Sequence, residues 1–188
     1  MSIDDEVVVM TTHIGLLRAV NLAGRNIVRM TDLRRMLEEV GLKDGRSLLQ
    51  SGNLLFRDDT RTTTELEILL EDATRKRLGL ETDFFVRSAA EWKTMMAANP
   101  FSTEAKRHPS RVLVVFLKKA PGSDDVAALQ RAIKGREVVS AKGRQAYIVY
   151  PDGIGRSRLT NVVIEKAFGT SATGRNWNTV VKLGALAV

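Results

Sequence analysis

Arg111-Val112-Leu113-Val114-Val115-Phe116-Leu117 is the stretch on which the fold turns. Its apolar run is far too short to cross a bilayer and is rich in β-branched and aromatic residues, so it predicts a buried strand. Pro121-Gly122-Ser123-Asp124 then makes a turn leading into a helix cap, and a helix is expected to about residue 133. Residues 137–141 and 145–150 flank Lys142-Gly143-Arg144, a hairpin signal. A helix through Phe168, a short strand over 171–176 and a closing helix over 177–187 complete the series. Working back from residue 111, the same order is already present once. His13-Ile14-Gly15-Leu16-Leu17-Arg18-Ala19-Val20 reads as a strand, and Thr31 opens a helix with Leu33, Met36, Leu37 and Val40 on one face. Strands at 47–50 and 54–56 surround Ser51-Gly52-Asn53. A long helix follows from Thr62-Thr63-Thr64 to Leu78, then a strand over 82–87 and a helix opened by Ser88. Strand, helix, strand, strand, helix, strand is the ferredoxin-like unit. The expected class is therefore α+β: two ferredoxin-like βαββαβ halves, residues 10–100 and 101–188, each followed by an extra helix and packed as one unit. Their sheets can join edge to edge, which hides two strand edges, or pack face to face.

Composition narrows the chemistry. The 188 residues include no cysteine, which excludes disulfides, thiolate metal sites and cysteine nucleophiles, and suits a reducing compartment. The acidic start Met1-Ser2-Ile3-Asp4-Asp5-Glu6 is unlike a secretory signal, and no apolar run reaches the roughly 20 residues of a membrane span, so a cytoplasmic protein with no membrane partner is expected. With histidines only at 13 and 108, no protein-only metal site and no cofactor are expected. Charge is uneven. Residues 1–100 carry 14 Lys+Arg against 16 Asp+Glu, and residues 101–188 carry 15 against 6, a surplus of +9. A basic half beside a near-neutral one points to an anionic partner, either a small molecule or nucleic acid, or else to a solvated basic surface.

Several strings taken together resemble the domain-of-unknown-function family 1697. They are Leu17-Arg18-Ala19-Val20-Asn21-Leu22-Ala23-Gly24-Arg25-Asn26, Gln50-Ser51-Gly52-Asn53, Asn99-Pro100-Phe101, Gly155-Arg156-Ser157-Arg158-Leu159 and Thr173-Gly174-Arg175-Asn176-Trp177-Asn178-Thr179. The resemblance runs from about Met10 to Leu186. It implies a cytosolic, bacterial-type protein with a tandem ferredoxin-like fold, and it brings no established reaction, substrate or cofactor. Ala19 stands where the family commonly has glycine, and Leu22-Ala23-Gly24 where a valine and two glycines are typical. Both changes remove backbone freedom beside the first strand.

The same polar strings supply the candidate site. Arg18 and Asn21 end an apolar strand, where a guanidinium can clamp a carboxylate or phosphate or tie the strand end to a loop. Gln50, Ser51 and Asn53 offer amide and hydroxyl groups at a hairpin, though turn chemistry explains them equally. Ser51 lacks the neighbouring histidine and the G-x-S-x-G flanks of a hydrolase nucleophile. Gly153-Ile154-Gly155-Arg156-Ser157-Arg158 reads as a glycine-containing loop entering a helix, with Arg156 and Ser157 facing an anion or Ser157 capping the helix. Arg175, Asn176, Trp177 and Asn178 place an indole among donors and a cation, either to stack a base or to pack as core. Gly169 to Asn176 imitates a phosphate loop but has Arg175 and Asn176 where lysine and a hydroxyl are required. The leading expectation is non-enzymatic binding of an anionic ligand, RNA or a nucleotide. Its rivals are a small-molecule enzyme with a polar pocket between the halves and a homo-oligomeric interaction module.

Overall fold

The computed structural model describes residues 10–18, 28–48 and 52–188. The first apolar run forms β1 (Thr12–Leu17), followed by α1 (Met30–Glu39), β2 (Lys43–Leu48), β3 (Asn53–Arg57), α2 (Thr63–Leu78), β4 (Phe84–Ser88) and α3 (Ala89–Ala97). The second half gives β5 (Val112–Leu117), α5 (Ser123–Ala132), β6 (Val138–Ala141), β7 (Gln145–Val149), α6 (Asn161–Phe168), β8 (Ala172–Asn176) and α7 (Trp177–Leu186), with α4 (Ser102–Arg107) in the connection. Strand order is β2-β3-β1-β4 in one sheet and β6-β7-β5-β8 in the other, with antiparallel neighbours. The class is α+β with two ferredoxin-like halves, as the alternation of elements predicts.

Helix ends follow local sequence. The Thr62 amide donates to Glu65 Oε2 at 2.7 Å and the Glu65 amide to Thr62 Oγ1 at 3.2 Å, a reciprocal cap on α2. Ser88 and Glu91 do the same for α3. Gly79 and Gly169 close α2 and α6 at φ 63° and 59°, a backbone region that favours glycine.

The sheets pack face to face, not edge to edge. Alternation along each strand separates two sets of side chains. In β1, Leu17 joins an outer core with Leu33, Leu37, Leu66 and Leu70 of α1 and α2. Ile14 and Leu16 join an inner core, where Leu55, Phe85, Trp92 and Met95 meet Val114, Phe116, Tyr147, Val180, Leu183 and Ala187. A second outer core gathers Val115 and Leu117 under Leu129, Ile164 and Phe168 of α5 and α6. Helices α3 and α7 close the inner core. Trp92 stacks on Phe116 with ring centroids 5.0 Å apart, and its Nε1 donates to Val180 O at 3.1 Å. The Tyr147 hydroxyl donates to Met95 O at 2.7 Å.

Several boundaries differ from expectation, three of them with a clear local cause. Strand β2 runs over Lys43–Leu48, earlier than 47–50, with a register shift between Lys43 and Arg46 and Asp44 at φ 53°. The residue 101–110 junction contains α4. Helix α6 begins only at Asn161, because a 3-10 turn over Ile154–Arg156 and a capping Thr160 precede it.

Candidate functional site

The halves are related by a local two-fold relation that can be read from hydrogen bonds. At the end of β1 the Leu17 amide donates to Gly52 O and the Arg18 amide to Asp83 O; at the end of β5 the Leu117 amide donates to Arg144 O and the Lys118 amide to Ser171 O. In each half the strand after the second helix carries an arginine on the inner face, Arg87 in β4 and Arg175 in β8, opposite Ile14 and Val114 respectively. Each crosses to the other half. Arg87 Nη2 donates to Leu117 O at 3.4 Å, and Arg175 Nη2 donates to Leu17 O at 3.1 Å. This reciprocity is that of an isologous dimer interface within one chain.

A crevice therefore forms twice where the halves meet. In the first, Glu67 and Glu71 of α2 receive the amides of Val86 and Phe84 at 3.0 and 2.9 Å. Lys118 donates to Glu67 Oε2 at 2.9 Å and also reaches Glu71, while Arg144 and Arg87 reach Glu67 Oε1 at 3.3 and 3.4 Å. Glu67 is 2% exposed, so this crevice is filled by its own carboxylate. Burial, reinforced by the charge of Arg144, pushes Arg87 down to about 10.

The second crevice is a pocket of about 460 Å³. Its polar wall is Arg18, Ser157, Thr160, Asn161, Thr173 and Arg175; its apolar wall is Leu17, Leu113, Tyr150, Ile154, Leu159 and Ala172. Arg18 makes a two-pronged bond to Glu165 of α6, from Nε and Nη2 at 2.8 Å each. The hydrogen bond to Glu165 raises the Arg18 pKa against the lowering effect of burial. Burial raises the Glu165 carboxyl, but the bonds from Arg18 and the Ala172 amide outweigh it and leave the pKa below its ordinary value. Arg175 is 9% exposed. Its Nε donates to Asn53 Oδ1 at 2.6 Å and its Nη1 to Thr173 Oγ1 at 2.8 Å and Gly174 O at 2.9 Å. Burial pushes its pKa down to about 10, so it stays cationic at neutral pH.

Of the residues expected from sequence, Arg18, Ser157 and Arg175 line this pocket, and Asn53 holds Arg175. Asn53 also donates from Nδ2 to Leu48 O at 3.1 Å. Arg156 is exposed and lines a neighbouring cavity of about 580 Å³ with Lys134, Glu137, Asp152 and Arg158. Ser157 does not cap α6. Its hydroxyl donates to a Glu137 carboxylate oxygen and accepts the Leu159 amide at 3.0 Å, and Thr160 supplies the cap. Asn176 caps α7 through the Thr179 amide at 3.0 Å. Trp177 is partly buried against the inner core and against Ala105, Val112 and Val149, and Asn178 is exposed. None of these three lines the pocket. Asn21, Gln50 and Ser51 lie outside the described residues. Sequence reasoning missed Glu165, Asn161, Thr160 and Thr173. The one available signal was a carboxylate on the second helix of each repeat.

The family model described as "Protein of unknown function (DUF1697)" matches residues 10–147. The chain belongs to that family. This DUF1697 protein is similar in fold to the conserved bacterial protein SP0830 from Streptococcus pneumoniae, with TM-score 0.75, 22% identity, and coverage of 95% of this chain and 99% of that one. A putative chlorite dismutase, TA0507, aligns over 95% of this chain and 99% of its own at 12% identity, with a TM-score of only 0.26. No curated protein matches the chain. Among the described residues no helix is long and apolar enough to cross a membrane.

Proposed function

We propose that this protein binds a small anionic molecule in the pocket between its halves, without a chemical step of its own. The observation that supports it is the lining: one concave space of about 460 Å³ draws Arg18 from the first half and Arg175 from the second, with hydroxyl and amide groups between them. A cation set in a partly dry wall interacts with an anion more strongly than one in water. The apolar residues of the same lining suit a ligand with a carbon body.

A binding role is favoured over catalysis by the state of the polar lining. Ser157 is engaged with Glu137, and the Tyr150 hydroxyl donates to Leu159 O at 3.1 Å while burial raises its pKa. Neither is poised as a base or nucleophile. A small ligand is favoured over RNA because Trp177, the indole offered for base stacking, is packed against core residues. The surplus of +9 in residues 101–188 still favours an anion of some kind.

A thermal-shift series at fixed ionic strength tests the reading. Its probes are short carboxylates, phosphate monoesters and their uncharged analogues. At a hundred times Kd a ligand adds about 2.7 kcal/mol, several degrees in Tm for a chain of this size. At least one anionic class should raise Tm by that order, and Arg175→Gln should abolish the shift. Equal shifts from the uncharged analogues, or a full shift in Arg175→Gln, would overturn it.

A further inference from the structure

Two connections are longer in the second half than in the first. Helix α5 reaches β6 through residues 133–137, where α1 reaches β2 through 40–42; β7 reaches α6 through 150–160, where β3 reaches α2 through 58–62. Asp58 and Tyr150 hold the same place in the two halves. Each donates its amide to the residue just before the central strand, Thr11 O and Arg111 O. Asp58 is buried and closes the short connection with its own carboxylate, which accepts the amides of Thr60 and Arg61 at 3.0 and 2.8 Å and the Arg61 guanidinium. Tyr150 has no carboxylate to do so. Its hydroxyl braces the longer connection instead, by donating to Leu159 O.

The two longer connections line the cavity of about 580 Å³. Leu129, Ile133, Tyr150, Leu159 and Val163 are its apolar residues. Its cations are Lys134 from the first connection and Arg156 and Arg158 from the second. Its two carboxylates are already engaged. Asp152 accepts from Arg136, with Nε 3.0 Å from Oδ2, and Glu137 accepts the Ser157 hydroxyl. Among the described residues no ion pair includes Lys134, Arg156 or Arg158. From this we infer that the cavity is a second binding site, separate from the pocket between the halves, and that it takes a phosphate monoester with an apolar body. The two linings have only Tyr150, Ser157 and Leu159 in common. Three cations supplied by two connections suit a tetrahedral group. A phosphate monoester has three terminal oxygens and about 1.5 to 2 negative charges at neutral pH, so it can engage all three. A carboxylate has two oxygens in one plane, enough for a single guanidinium. The volume lies within the range of small-molecule sites and leaves room for a carbon body against Leu129, Ile133 and Leu159. All three cations are exposed, so binding should weaken as salt rises.

The test titrates the full chain with phenyl phosphate, inorganic phosphate, benzoate and phenol, by calorimetry and by amide NMR spectra at constant ionic strength. Phenyl phosphate should bind wild type about tenfold more tightly than each of the other three. It should shift the amides of residues 132–137, which do not line the other pocket, to saturation. The double variant Arg156→Gln, Arg158→Gln should keep its Tm and lose about tenfold or more in affinity. Lys182→Gln, which removes an exposed cation of α7, should bind as wild type does. Benzoate binding as tightly as phenyl phosphate would overturn the choice of phosphate. Affinity undiminished in the double variant, or an equal loss in Lys182→Gln, would overturn the site. Shifts confined to Leu17, Arg18 and Ala172 to Gly174 would overturn it too, and would place the phosphate between the halves. No binding of phenyl phosphate would overturn this site and leave the pocket between the halves to its own thermal-shift series.

Discussion

At the scale of single residues, the Arg18–Glu165 pair shows how a charge can be spent on assembly. The two groups are 147 positions apart in the chain and join opposite halves. Arg18 is 39% exposed and Glu165 15%, so solvent screening takes much of the Coulomb energy. The pair should therefore contribute about 1 kcal/mol, carried mainly by its two parallel hydrogen bonds. Its pH dependence has a definite sign. The Glu165 pKa is lower folded than unfolded, so the folded state holds the proton less tightly. The stabilisation is complete above the ordinary carboxyl range and is lost as pH falls through it. Wild type should lose Tm more steeply than Glu165→Gln between about pH 5 and pH 3, and the two curves should converge at the acid end. Parallel curves would show that the pair contributes nothing to folding.

At the scale of elements, the contact of α3 with α7 depends on one glycine. A Cβ built on Gly184 would stand 2.9 Å from Met96 Sδ, 3.2 Å from Trp92 Cδ1 and 3.3 Å from Trp92 Nε1. The methionine can swing aside, but the indole is pinned by its bond to Val180 O and its stack on Phe116. Gly184→Val should therefore cost about 2–3 kcal/mol in urea unfolding, as overpacking does. Gly184→Ala should cost less than valine, since only its Cβ meets Met96 and the indole and the better helix propensity of alanine offsets about 1 kcal/mol of that contact. A valine variant as stable as wild type would mean that the helices separate freely. Elements of this kind were legible in the sequence where a local rule decides them: the run before Leu117, the threonines and serine that cap α2 and α3, and the glycine after α2. The start of α6 was not. Gly153 to Arg158 has the composition of a helix-entry loop, yet the chain makes a 3-10 turn there and Thr160, not Ser157, takes the cap. The site was half legible for a related reason. Arg18 and Arg175 stand out as polar groups at the ends of apolar strands. Glu165 does not, because α6 is shorter than α2. Glu71 precedes its amide partner Phe84 by 13 residues and Glu165 precedes Ala172 by only 7, so the repeat cannot be aligned by counting.

At the scale of the whole molecule, duplication explains both the stability of the chain and the difference between its two crevices. The inner core takes six fully or nearly buried side chains from each half: Ile14, Leu16, Leu55, Phe85, Trp92 and Met95 against Val114, Phe116, Tyr147, Val180, Leu183 and Ala187. Separating the halves would expose this face, which includes four fully buried aromatic side chains, Phe85, Trp92, Phe116 and Tyr147. It would also part Glu67 from Lys118 and Arg144, leaving Arg87 as its cation in the first half. A free energy of that size cannot be lost while the rest of either half stays folded, since a whole domain is stable by only about 5–15 kcal/mol. The full chain should therefore unfold in one calorimetric transition, with the van't Hoff and calorimetric enthalpies equal. Tryptophan fluorescence, from Trp92 and Trp177 at the inner core between the halves, should change at the same denaturant concentration as far-ultraviolet circular dichroism. Two separated transitions, with the indole signal lost first, would show that each half holds its own fold and that the pocket between them can open without unfolding.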